Sequence, residues 1–368
     1  MAEAKVLVLG GCGFIGRNLV AYLIENNLAS IVRVADKMPP QTAWLNSHHK
    51  KIFEDDRVQF RQANLLNPSH IERAFVLEEG VFDYVVNCGV GIKYGQAEEV
   101  YKEGVLQLEV NCAKKAAELK VKKYIEISSG QVYSSDKKAS AENSKVSPWT
   151  LVAKYKYKVE EELKKIEGLN YIILRPSIIY GIGDVDGLTP RLIVGAVYKQ
   201  LGEKMKLLWS KDLQMNTVHV KDVARAIWFL FEKGGSGEIY NLSDKSESTQ
   251  GSISDLVCQI FNISYDFFGS VISNMAKLNM SGMVEDSNEK HLAPWSEACT
   301  RDKIANTPLS PYLDQELLYN NNLHIEGSKI ESLGFKYEYP NVKVEYLREI
   351  VDDYVELGVF PPSLSHEK

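Results

Sequence analysis

The sequence predicts an α/β protein, a doubly wound parallel sheet of the dinucleotide-binding (Rossmann) type followed by a smaller C-terminal α+β substrate domain. Two observations carry this. Short apolar runs alternate with amphipathic helical stretches from Lys5 to Leu174, and strands joined through helices form parallel βαβ units covered on both faces. Beyond Tyr180–Gly181 the rhythm changes, and Ser243–Asn322 is richer in Ser and Asn, as expected of a second, smaller layer.

The first strand, KVLVL, runs straight into Gly10, Gly13 and Gly16, and the amphipathic segment Phe14–Asn26 follows. A strand that turns sharply into a helix leaves the first helical N–H groups unpaired, where a pyrophosphate can accept them. Glycine lets the backbone turn tightly and approach the phosphates, and at Gly16 it lets the helix sit close on the sheet. The run Ile31–Ala35 ends in Asp36, twenty residues beyond Gly16, where a carboxylate bonds an adenosine ribose. This stretch predicts a dinucleotide site.

Met38–Asp56 reads as irregular, with Pro39–Pro40 and a solvated pair, His48–His49. Val58–Gln62 is the third strand, followed by Asn64–Leu65 and a helix over Pro68–Glu79. Asp83–Asn87 is the fourth and leads to Cys88–Gly89–Val90. A long helix over Gln96–Leu119 carries Asn111, and Val121–Ile127 is the fifth strand, running into SSGQVY. A helix over Pro148–Glu167 and a strand at Tyr171–Leu174 follow, then Leu188–Gln200 as a helix, Lys204–Trp209 and Asn216–Val220 as strands, Lys221–Phe231 as a helix and Glu238–Asn241 as a strand. Ile253–Phe261 and Phe267–Leu278 read as short helices, Glu285–Pro311 as a long polar loop or insertion, and Val344–Leu357 as a helix. The expected division is residues 1–175 with 216–243 as the dinucleotide-binding domain, 176–215 with 244–335 as the substrate-type domain, and 336–368 as a C-terminal helix and tail.

With 368 residues, 45% of them hydrophobic, the chain can bury a large core. A net charge of −6 with both signs interspersed argues against nucleic acid as a partner and against a membrane-surface role. No apolar run reaches the length of a membrane span, and the first strand begins too early for an export or transit signal, so the expected location is the cytoplasm, a cytoskeletal or ciliary assembly included. Five scattered cysteines without Cys-x-x-Cys spacing give neither a disulfide framework nor a metal site. Cys12 and Cys88 read as small residues packed where bulk is excluded.

Taken together, these motifs resemble the extended short-chain dehydrogenase/reductase family, in its nucleotide-sugar epimerase and dehydratase group. GGCGFIG, Asp36, Asn64–Leu65, Cys88–Gly89–Val90, Asn111, Leu174–Arg175–Pro176–Ser177 with Tyr180–Gly181, TVHVKDVA, Tyr240–Asn241–Leu242 and Ser328–Phe335 occur in the family's order. The resemblance implies NAD as the cofactor, with NADP disfavoured because Asp36 repels a 2′-phosphate, although Lys37 beside it softens that preference. It implies Gly10, Gly13, Phe14, Ile15, Gly16, Asp36, Asn64, Leu65, Cys88, Gly89, Val90, Asn111 and Ser177 as cofactor-binding residues, and a nucleotide-sugar-like ligand beside them.

Family chemistry also needs a serine or threonine hydroxyl, a tyrosine that exchanges a proton and a lysine four residues later. Ser129, four before Tyr133, matches the serine. No Tyr-x-x-x-Lys pair occurs in WTLVAKYKYKVEEEL: Val152 precedes Lys156 by four, and Tyr155 and Tyr157 are followed at four by Val159 and Glu161. Two readings follow. In one, the protein is an active epimerase, dehydratase or dehydrogenase in which Ser129 works with a displaced tyrosine, Tyr155 or Tyr157, and Lys156 or Lys158; Tyr155 and Lys158 are the candidates named with Ser129. In the other, the nucleotide pocket persists without turnover and the protein is a nucleotide-binding structural or regulatory subunit of a larger assembly. The resemblance also implies a homodimer through the two long helices.

Overall fold

The computed structural model describes residues 4–90 and 93–365; the last three residues of the expected tail lie outside them. The strands in chain order are β1 (Lys5–Leu9), β2 (Ile31–Asp36), β3 (Val58–Gln62), β4 (Tyr84–Asn87), β5 (Lys123–Ile127), β6 (Tyr171–Pro176), β7 (Ile178–Tyr180), β8 (Met205–Leu207), β9 (Thr217–His219), β10 (Glu238–Leu242) and β11 (Tyr265–Phe267). Seven of them form one sheet in the order β10-β6-β5-β4-β1-β2-β3, and every pairing in it is parallel. The strand order reverses direction beside β1, with β2 and β3 to one side and β4, β5, β6 and β10 to the other. In open α/β sheets a ligand crevice lies at such a point, beyond the carboxyl ends of the strands.

The helices are α1 (Phe14–Glu25), α2 (Ser47–Phe53), α3 (Pro68–Phe75), α4 (Glu98–Tyr101), α5 (Leu108–Glu118), α6 (Leu151–Leu163), α7 (Thr189–Leu201), α8 (Val220–Lys233), α9 (Gln250–Phe261), α10 (Gly269–Leu278), α11 (Met280–Arg301), α12 (Ser328–Ser332) and α13 (Val344–Glu356). Alternation along β1 sets the two faces. Val6 and Val8 pack with Leu19, Leu23, Ile227 and Leu230 of α1 and α8; Leu7 and Leu9 pack with Ile71, Cys112 and Val159 of α3, α5 and α6. This period-two division is what makes a strand buried on both faces read as an unbroken apolar run. A third core joins α7, α9, α11 and α13 through Ile193, Val257, Trp295 and Leu347. Two small parallel sheets, β8 with β11 and β7 with β9, complete the C-terminal part.

Two expectations fail. Glu285–Pro311 is not a long loop, because residues 285–301 continue the 22-residue helix α11, which buries Val284, Asn288, His291, Trp295 and Ala298 on one face. Two of those five positions are polar, which hid the helical period, and Pro294 inside the helix mimics a stop signal. Met38–Asp56 is not wholly irregular either: α2 is capped by Asn46, whose side chain accepts from the His49 N–H at 2.8 Å. His49 is buried, and only His48, ion-paired with Glu25, is exposed.

Candidate functional site: a cleft at the carboxyl edge of the sheet

A cleft of about 1330 Å³ opens where the strand order reverses, larger than the usual pocket for one small ligand. The turn after β1 forms its inner wall. Gly10 has φ +73°, and a Cβ there would sit 2.4 Å from the Cys88 carbonyl oxygen; one on Gly16 would sit 2.5 Å from the Gly10 oxygen. These neighbours are backbone and cannot give way. Helix α1 has no side-chain cap at Gly13, so its first N–H groups remain free to meet an anion.

The Asp36 carboxylate accepts from the Cys12 N–H and the Met38 N–H, each at 3.0 Å, which orients it toward the cleft and leaves lone pairs for a hydroxyl. Burial pushes its pKa up, with the two N–H donors opposing that rise. Asn64, Leu65, Cys88, Gly89 and Val90 line the same wall. Asn87 holds the exit of β4, its Oδ1 accepting from the Gly89 N–H at 3.0 Å while its Nδ2 donates to Glu126 at 3.1 Å.

Ser129 lines the cleft and its hydroxyl oxygen accepts from the Gln131 N–H at 3.1 Å. Its neighbour Ser128 donates to Glu160, which also holds Arg175 through two hydrogen bonds. A buried ion pair thus anchors the serine turn to α6 and β6.

The register of α6 is now visible. Val152 and Lys156 face the cleft. Tyr155 does not: it is buried against Tyr101, its hydroxyl donating to Glu98 at 3.0 Å, and the Lys158 ammonium lies 4.0 Å from the Tyr155 ring centroid. A helix turns about 100° per residue, so the residue next to Lys156 leaves the cleft. Tyr155 and Lys158 therefore do not meet Ser129. Asn111 is also outside the cleft, exposed on α5. Between α4 and α5 the helix takes a π turn over Lys102–Gln107, which shifts the downstream register and aims Val105 and Leu108 inward instead. Gly16 does not line the cavity and acts from behind the turn. Ser177 lines it, with its buried hydroxyl unpartnered.

Lys156 is fully engaged. Its ammonium donates to the Ile127 carbonyl at 2.6 Å and to Glu109, and lies 3.6 Å from Glu126. Burial works against its charge, but the two carboxyls outweigh it and raise its pKa. Glu109 is pushed well up by burial and by Glu126, and Glu126 is pushed up by burial, in both cases opposed by Lys156. One cation beside two buried carboxyls is near-neutral when the carboxyls share a proton. The sequence hint was a glutamate, Glu126, next to the end of the buried strand β5, unread because Lys156 and Glu109 lie on other elements.

Tyr94 was not singled out from the sequence. It lines the cleft, and its hydroxyl accepts from Gln131 Nε2 at 3.3 Å, while Gln131 Oε1 accepts from Thr150. Burial raises the Tyr94 pKa to about 12. Among the described residues no group of three or more potential metal-ligating side chains occurs, and no helix is long and apolar enough to cross a membrane.

Residues 6–243 match the family model described as the NAD dependent epimerase/dehydratase family. The chain belongs to that family. This epimerase/dehydratase-family protein is 24% identical over 283 residues to the dTDP-D-glucose 4,6-dehydratase of Dictyostelium discoideum, a match spanning 71% of this chain and 62% of that protein. It is 24% identical over 266 residues to the putative UDP-glucose 4-epimerase of Methanocaldococcus jannaschii, covering 68% of this chain and 81% of the relative. In three dimensions it resembles the dTDP-glucose 4,6-dehydratase of Streptomyces venezuelae solved with NAD bound, with a TM-score of 0.69, 19% identity and coverage of 96% and 97% of the two chains. At that identity the likeness speaks for the fold. Within the family member described here, the helix face four residues before the cleft lysine carries valine.

Proposed function

We propose that this protein binds NAD in the cleft and holds it without the phenol and ammonium that exchange protons in the family it resembles, serving as a nucleotide-binding structural or regulatory subunit. The observation that carries the reading is the α6 register: Val152 stands four residues before Lys156 on the cleft face, and Lys156 is committed to Glu109, Glu126 and the Ile127 carbonyl. An aliphatic side chain moves no proton.

The residues present fit the cofactor. The Gly10–Ile15 turn and the uncapped start of α1 would hold the pyrophosphate, Asp36 the adenosine ribose, Asn64 and Leu65 the adenine side, and Cys88–Val90 with Ser177 the nicotinamide side. Bound NAD supplies reversible hydride acceptance. Ser129 can orient a hydroxyl or carbonyl oxygen beside it, but Val152, on the cleft face four residues before Lys156, offers no group to take the proton. NAD that binds only the folded chain stabilises it by mass action whether or not it reacts.

A second reading keeps catalysis, with substrates of the nucleotide-sugar class and Ser129 working beside a displaced phenol. Tyr94, bonded to Gln131 in the cleft, supports it better than Tyr155 does. Against it stands the Tyr94 pKa, raised by burial and by Asp186 and Glu316, the wrong direction for a proton acceptor at neutral pH. The deciding experiment is a thermal-shift titration with NAD and NADP, followed by incubation of the NAD-loaded protein with UDP-glucose and dTDP-glucose. Stabilisation by NAD with no nicotinamide absorbance change and no altered sugar fits the first reading; turnover that disappears in Tyr94→Phe and Ser129→Ala overturns it.

A further inference from the structure

The outer arm of the cleft, away from the glycine turn, carries a broad apolar surface beside polar groups such as Gln214, Gln250, Asp286 and His291. Met205, Met215, Met275, Met283, Trp209 and Phe268 all face it, so four of the chain's seven methionines converge there. Methionine is unbranched and polarisable and fits irregular apolar guests. The Trp209 indole N–H is already spent on the Leu318 carbonyl at 2.8 Å, leaving the ring rather than the donor for a ligand. An apolar body placed here buries more of this surface than a hexose can.

One charge stands among these groups without a counter-ion. Arg191 lines the arm, and its guanidinium donates to the Met215 sulfur at 3.1 Å, a weak acceptor. The other cations nearby are paired, Lys206 with Asp266 and Lys290 with Glu203. Among the described residues no carboxylate offsets the desolvation of Arg191, whose pKa falls to about 10 through burial, so it remains charged at neutral pH. It also sits in the first turn of α7, where the helix dipole disfavours a cation. A desolvated guanidinium at the positive end of a helix costs stability in the empty protein, and an anion placed beside it would recover that loss.

We propose that this arm takes an amphipathic monoanion, an apolar body carrying one acidic head, with Arg191 holding the head and the methionine and tryptophan side chains enclosing the body. This deepens the reading of the cleft as a two-ligand site, with NAD along the glycine turn.

The test is equilibrium binding to the full chain in saturating NAD, read by Trp fluorescence and by thermal shift, with decanoate, a steroid sulfate, decanol and UDP-glucose as probes. The two anionic amphiphiles bind more tightly than decanol and UDP-glucose. Arg191→Gln weakens the anionic amphiphiles by about tenfold or more, the scale of one charge-assisted hydrogen bond, and leaves decanol and NAD unchanged. Met275→Gln, at a position 61% exposed where the fold tolerates polarity, weakens all three apolar probes and not NAD. UDP-glucose binding as tightly as decanoate, failure of both anionic amphiphiles to bind, or Arg191→Gln leaving them unchanged overturns the proposal. NAD titrated alone separates the two ideas: loss of NAD binding with retained decanoate binding removes the function proposed above and leaves this one, and the reverse result does the opposite.

Discussion

The residues with the least freedom in this chain are glycines and a lysine. Gly16→Ala puts a methyl 2.5 Å from both the Gly10 carbonyl oxygen and the Gly11 Cα, so α1 must back away from β1. The expected result is a loss of about 1–3 kcal/mol in urea unfolding, typical of overpacking, with NAD stabilisation abolished. Lys156→Met strands Glu109 and Glu126 together in the interior. Removing one partner of a buried pair costs about 3–5 kcal/mol, and adding Glu109→Gln to the variant should return part of it, a comparison that urea melts of the single and double variants provide. His291 gives a pH test. It is buried against Tyr198 and its pKa is lowered to about 4, by burial first and Lys290 second. The unfolded chain therefore takes up the proton first, so the stability His291 contributes is present above about pH 6.5 and is lost as pH falls toward 4. In His291→Leu the stability-versus-pH slope between those values should fall by about 1.4 kcal/mol per pH unit, measured by denaturant titrations at each pH.

At the scale of elements, α6 decides the chemistry through its phase. Its cap is ordinary, Thr150 accepting from the Ala153 N–H at 3.1 Å, and its buried face is set by Val152, Tyr155, Val159 and Leu163 against the sheet. Tyr155→Phe removes one hydrogen bond to Glu98 and should leave NAD affinity unchanged in the thermal-shift titration. Val152→Tyr rebuilds the four-residue spacing with Lys156, but the Lys156 ammonium stays with Glu109 and Glu126. The expected outcome is a destabilisation of about 1–3 kcal/mol from added bulk and no nicotinamide absorbance change with a nucleotide sugar. The glycine turn, Asp36, Asn64–Leu65 and Cys88–Val90 were readable because each follows a strand whose apolar run is contiguous in sequence, and that local signal survives into the cleft. Asn111 misled because a π turn upstream altered the helix phase, which no residue pattern announces. Tyr94, Glu109 and Glu126 escaped notice because their meaning comes from contacts across 37, 47 and 30 residues of chain, to Gln131, Lys156 and Lys156 respectively.

For the whole molecule, the parallel sheet was legible from the alternation up to β6, whereas the pairing of β10 with β6 rests on a return of the chain that no local pattern announces. The C-terminal part was harder. Its longest helix, α11, buries two polar side chains and a proline on its inner face, and its strands are three residues long, too short for a period. What this part adds is cavity wall, since α7, α10 and α11 contribute Arg191, Met275 and Met283 to a space that the sheet alone would leave open.

The position of that space has a separate consequence. It exists because β2 and β4 leave β1 in opposite directions, a property of how the chain is threaded, whereas proton exchange would hang on two side chains of a single helix. A lineage can exchange those two and keep the hollow whole. Occupancy and reactivity are thus under independent control, and a guest can go on being recognised long after nothing is done to it.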